Sequence, residues 1–173
     1  LKAKKLFPHQ LDDIRSRFEF AVRSLQVDVL SRKLRAVEKG AGAPELSALD
    51  RELEERRAEL DAAFAMVVAA NEPTVLKGGV FDKLEAVARE TFVDVHGDVH
   101  PLLHGHEVQS LSVARGSLTA TEIDEIRSHV SHTFQFLSQI PWGKQFRRVA
   151  VIAGSHHERL NGTGYPNRLR AEE

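Results

Sequence analysis

Apolar residues recur along this chain at steps of three and four. Leu11, Ile14, Phe18, Val22, Leu25 and Val29 fall on one helical face. The spacing predicts a helix to about Glu38, stopped by the breaker-rich stretch Gly40-Ala41-Gly42-Ala43-Pro44. A second stripe through Leu46, Leu49, Leu53, Leu60, Phe64, Val67 and Val68 ends at Glu72-Pro73. Two long helices around a short turn predict an antiparallel hairpin. After Gly78-Gly79 a shorter helix is expected from about Val80 to Phe92, then a loop from Asp94 to Gly116 interrupted by Gly97, Pro101 and Gly105. Thr119 with Glu122 three residues later forms a capping box. The helix it opens carries Ile123, Ile126, Val130, Phe134 and Leu137 inward and ends near Ile140-Pro141-Trp142. A last helix is expected over about Lys144 to Ser155. Strand-like alternation is scarce, so the predicted fold class is all-α. The expected organisation is a hairpin with its connecting helix (1–92), a loop (93–116) and a core segment (117–173).

The chain has 173 residues, 42% hydrophobic and 28% charged, with a formal net charge of −1. Near-neutral charge argues against a dedicated DNA binder, which needs a basic face for phosphates. The charge-dense run from Arg51 to Arg57 mixes signs and reads as a solvated face. No apolar run reaches membrane-spanning length, and the start does not resemble a signal peptide. A cytoplasmic location is expected. A first residue other than Met, and an end directly after a motif, suggest a segment of something longer. With no cysteine, any metal must be held by histidine and carboxylate.

Nine histidines in such a chain call for an account. His9 reads as a solvated neighbour of a helix start, and His132 lies one step off the inward stripe. His96, His100, His104 and His106 look like a ligand ladder, but Gly97, Pro101 and Gly105 interrupt them, so helical geometry does not put them on one face. His129 borders the buried face of its helix. His156 and His157 stand side by side at the end of an apolar helix, followed by Glu158. A lone buried histidine is usually a hydrogen-bonded core residue. An adjacent pair needs partners for both rings, which favours a metal site, since neutral imidazole is the commonest metal ligand. Directly downstream, Gly162-Thr163-Gly164-Tyr165-Pro166 reads as a rigid turn.

The string His156-His157-Glu158-Arg159-Leu160-Asn161-Gly162-Thr163-Gly164-Tyr165-Pro166 resembles the signature of the HD-GYP family, a branch of the HD phosphohydrolases that hydrolyses cyclic di-GMP in bacterial signalling. The resemblance extends upstream through Leu118, Thr119, Glu122, Ile126, His129, Leu137 and Pro141, covering about Arg115 to Leu169. More loosely, Pro8 to Val29 is similar to a stretch that follows the HD motif in relatives with longer insertions. The resemblance implies a helical bundle of the HD-domain type with the hairpin on its N-terminal side. It implies that His129, His156 and His157 ligate two or three divalent ions, iron or manganese. Gly162, Gly164, Tyr165 and Pro166 would form the loop at the rim of that site. Glu158 and Asn161 match positions that hold the loop and orient ligands, although the family more often has Asp where Asn161 stands.

One departure is larger. The dipeptide His-Asp occurs nowhere in the chain, so the family's HD pair and its companion lysine are missing, and a later aspartate would lie beyond Glu173. The catalytic residues proper are therefore expected outside this chain. The implied reaction is metal-assisted hydrolysis of a phosphodiester. Two other classes stay open: a degenerate relative that binds nucleotide or a partner without cleaving it, and an interaction module whose hairpin, Leu11 to Ala70, forms a homodimer. Retention of both His156 and His157 beside an intact loop favours the enzyme.

Overall fold

The computed structural model describes residues 2–73 and 79–171. Gly78, part of the expected break, lies outside the described residues. The chain divides into two compact units, Leu1–Leu118 and Thr119–Glu173.

In the first unit, α1 (Pro8–Glu38) and α2 (Ala43–Ala70) form the antiparallel hairpin that the two apolar stripes predict. Ile14, Phe18 and Ala21 of α1 are buried against Leu60, Val67 and Ala70 of α2. Towards the turn the apolar contact gives way to ion pairs, Arg32 with Glu52 and Lys33 with Asp50. Pro8 occupies the first turn of α1, where its missing N–H costs nothing. The segment before it is tied down, since the Leu6 amide donates to Asn71 Oδ1 at 2.7 Å and the buried Lys5 ammonium donates to the Leu111 carbonyl at 3.0 Å. Leu84 and Val87 of α3 (Val80–Arg89) and Leu102, Leu103 and Leu111 complete the same core.

The stretch after α3 differs from expectation. The helix ends at Arg89, and Thr91–Val93 (β1) pairs antiparallel with Val99–Pro101 (β2). The span expected as loop also contains a short helix, α4 (Gly105–Leu111). Turn chemistry explains the hairpin. Asp94 Oδ1 accepts the amides of His96 and Asp98, and Gly97 takes a positive φ of 91° that other residues rarely adopt. Strands of three residues are too short for a two-residue period to show in sequence. The start of α4 is fixed by Glu107, whose buried carboxylate accepts the His104 amide and a bidentate Arg17 guanidinium. Burial pushes the Glu107 carboxyl up, but the Arg17 and His104 hydrogen bonds outweigh it and hold it below its ordinary range.

In the second unit, α5 (Ala120–Ser138) opens on the expected capping box, with the Glu122 amide donating to Thr119 Oγ1 and the Thr119 amide to Glu122 Oε2. It ends where Trp142 Nε1 donates to the Leu137 carbonyl at 2.7 Å. The expected final helix splits into a 3-10 turn at Lys144–Phe146 and α6 (Val149–Ser155). Val130 and Ala150 are buried between α5 and α6. The helices approach so closely at Gly154 that a Cβ there would meet the Phe134 ring at 2.8 Å. Among the described residues no helix is long and apolar enough to cross a membrane.

Candidate metal centre

The second unit brings His129, His156 and His157 together. His129 projects from α5, and the adjacent pair follows the last turn of α6. Ring centroids lie 5.6 Å apart for His129–His156, 5.3 Å for His129–His157 and 4.1 Å for His156–His157. One nitrogen from each ring falls within 4.8 Å of the other two. Two nitrogens bound to one cation at about 2.1 Å are separated by at most about 4.2 Å, so modest ring rotation is enough to close a shared shell.

Backbone carbonyls engage one nitrogen in each of two rings. His129 Nδ1 contacts the Ile126 carbonyl, and His156 Nδ1 contacts the Ala153 carbonyl at 2.6 Å. A carbonyl only accepts, so each Nδ1 carries a proton, and Nε2 is then the lone-pair nitrogen of the neutral tautomer, the form a metal binds. His157 is placed differently, by stacking on the Tyr165 ring at 4.7 Å and 17°. Its pKa is lowered, first by burial and then by the neighbouring His156 and His129, which keeps its ring neutral. The trio is thus a set of imidazole nitrogens, donors of the kind first-row transition metals favour. No carboxylate belongs to the group among the described residues.

The loop beneath the trio is held by its own polar groups. Glu158 Oε1 accepts the amides of Asn167 and Arg168, and Oε2 accepts that of Leu169, which fixes the return of the chain. Asn161 Oδ1 accepts both the amide and the hydroxyl of Thr163 across the turn at Gly162. Gly164 is buried, and a Cβ on it would collide with the backbone of Glu158 and Arg159, so only glycine lets the loop lie this close. The Tyr165 amide donates to the His157 carbonyl at 3.3 Å, and a cis bond joins Tyr165 to Pro166. The loop therefore supports His157 through both the backbone and the aromatic stack.

The remaining histidines form no comparable cluster among the described residues. His9 stacks on Phe7, His104 on His106, and His132 is exposed. His96 is exposed, and His100 Nε2 lies 2.9 Å from Asp94 Oδ2. Sequence reasoning missed Arg127, whose guanidinium lies 5.5 Å from the Tyr165 ring centroid, and Arg159, which with Arg127 lines a hollow beside His156 and His157. Arg127 precedes His129 by two on α5, and no periodic signal marks it.

Residues 104–173 match the family described as HD domain. The matched stretch holds all three imidazoles and the loop beneath them, and HD domains are generally metal-dependent. Over 74 residues the chain is 32% identical to the 3'3'-cGAMP-specific phosphodiesterase 3 of Vibrio cholerae serotype O1, an alignment covering 39% of this chain. The chain spans about 15% of that relative's length. No solved structure matches.

Proposed function

We propose that this chain is part of a metal-dependent phosphodiesterase of the HD-GYP type acting on a cyclic dinucleotide, cyclic di-GMP, in bacterial cytoplasmic signalling. The observation that supports this most is the convergence of His129, His156 and His157, with two proton-bearing Nδ1 atoms anchored on carbonyls and the Nε2 atoms left free. These three residues would hold the cation, iron or manganese, within a centre of two or three ions. When bound, the metal supplies Lewis acidity that offsets the negative charge developing on a phosphodiester under attack by water. The chain's own part is to orient. The Ile126 and Ala153 carbonyls fix two rings, and Tyr165 fixes the third. Glu158 holds the loop through three backbone amides.

A second substrate, 3'3'-cGAMP, is favoured by the Vibrio relative, whose name specifies it. The two candidates share the cyclic phosphodiester ring and differ in one base. The test is a phosphodiesterase assay on the full-length protein containing this chain, with manganese or iron, on both cyclic dinucleotides. Turnover that disappears in His129→Ala, His156→Ala and His157→Ala supports the reading. Turnover that survives all three substitutions, or absent turnover in the unaltered protein, refutes it.

A further inference from the structure

Against His156 and His157 lies a hollow of about 320 Å³, walled further by Arg127, Glu158, Arg159, Thr163 and Tyr165. Its charge is lopsided. Glu158 is the acid in that wall, and its oxygens are occupied by three backbone amides. The Thr163 hydroxyl is turned to Asn161 Oδ1, at 2.6 Å. Arg127 reaches Asp124 at 3.6 Å, but that carboxylate is 76% exposed, so water screens the pair. Arg159 has no carboxylate partner among the described residues. Arg127 and Arg159 thus line one small hollow whose acid is already engaged, and His156 and His157 adjoin it.

The rings also hold Arg127 in place. Its guanidinium lies over Tyr165, and Tyr165 stacks on His157, so the fork sits on the same aromatic column that positions a candidate ligand. A planar guanidinium offers paired donors that match the oxygens of a phosphate. We propose that Arg127 and Arg159 form a phosphate subsite that takes the second, non-reacting phosphate of a cyclic dinucleotide while the first lies at the imidazoles. The inference rests on the phosphodiesterase reading above and adds how the substrate is held. It follows from the substrate's chemistry, because a cyclic dinucleotide carries two phosphates in one compact ring. Seating one of them at the imidazoles brings the other to the adjoining hollow, where two arginines offer the complement it needs. A substrate with a single phosphate has nothing to offer this subsite.

The experiment compares the full-length protein with its Arg127→Gln and Arg159→Gln variants on three readouts. Bound metal, measured after gel filtration, is expected to stay at the unaltered level, which separates loss of the subsite from damage to the column beside His157. Affinity of the metal-stripped protein for cyclic di-GMP and for 3'3'-cGAMP is expected to fall about tenfold or more in each variant, the size of a lost hydrogen bond to a charged group. With metal restored, KM for the cyclic dinucleotide should rise by a similar factor, and the loss on bis(p-nitrophenyl) phosphate, which has one phosphate, should be clearly smaller. Unchanged affinity, or equal losses on the two kinds of substrate, would overturn the proposal. Arginine-dependent binding by a protein that cleaves neither substrate would refute the phosphodiesterase reading and leave the subsite standing.

Discussion

The two units spend their residues differently. In the first, Ile14, Phe18, Leu60, Val67, Leu84 and Leu111 gather in one apolar core, and even the buried Glu107 is matched by Arg17. In the second, Val130 and Ala150 are the buried hydrophobic residues among those described, while Ile152 is 62% and Leu160 81% exposed. Apolar burial is worth roughly 25 cal/mol per Å², so the second unit draws little of its order from that source. Its order comes from close backbone approach at Gly154 and Gly164 and from the amides gathered on Glu158. The first unit is built as a scaffold, whereas the second is built around a site. Large open apolar faces on such a unit are surfaces suited to further cover.

The sharpest way to test that contrast is activity. The 173 residues alone are expected to give no turnover of cyclic di-GMP or 3'3'-cGAMP with manganese or iron, whereas the function proposed above requires the full-length protein to turn over one of them. Three imidazoles without a carboxylate bring no negative charge to offset that of two adjacent divalent cations. Turnover by the chain alone would move attention to His96, His100, His104 and His106.

The next effect is on stability. Ile14→Ala, at a site with no exposure, should cost about 2–5 kcal/mol. Ile152→Ala should stay within about 0.5 kcal/mol. Denaturant titrations followed by amide exchange in each unit would show the two costs, and equal values would break the comparison by revealing Ile152 as covered in solution.

Glycines sharpen it further. Gly164→Ala should destabilise the second unit by about 1–3 kcal/mol, because the new methyl meets backbone. Gly97→Ala meets open space and should cost only backbone strain in the first unit, about 1–2 kcal/mol. Thermal melts of the two variants would order them.

The smallest expected effect is on pH dependence. The hydrogen bond from His100, followed by the Asp98 and His96 amides, pulls the Asp94 carboxyl down to about 2, against an unfolded value near 3.9. A depressed carboxyl stabilises the fold above the unfolded value and loses that contribution as pH falls towards 2. The difference in melting temperature between the unaltered chain and Asp94→Asn should therefore be constant near neutrality and vanish over that acid range.

Much of this was legible in the sequence for physical reasons. The stripes through Ile14, Phe18, Leu60 and Val67 repeat over many turns, so the two long helices followed from periodicity. Thr119 and Glu122 announced the start of α5 because a capping box is a local interaction. The β-hairpin escaped because its strands are three residues long and its signal, Asp94 with Gly97, lies in turn chemistry. The break in the last helix at Arg147 and Arg148 carries no glycine or proline to mark it. Within the site, the adjacent histidines were conspicuous as a pair, whereas Arg127 and Arg159 gain meaning only when the loop folds back beside them. The carbonyl anchors of His129 and His156 are backbone atoms and leave no trace in the residue pattern.

The central claim is that His129, His156 and His157 share one cation. Calorimetric titration of manganese(II) into the metal-stripped chain tests it most directly. The account predicts a saturable site in the unaltered chain that is weakened on the order of 100-fold or more by alanine at any of the three positions, and left unchanged by His104→Ala. A site that survives His156→Ala and His157→Ala, or one that is lost with His104→Ala, would contradict it.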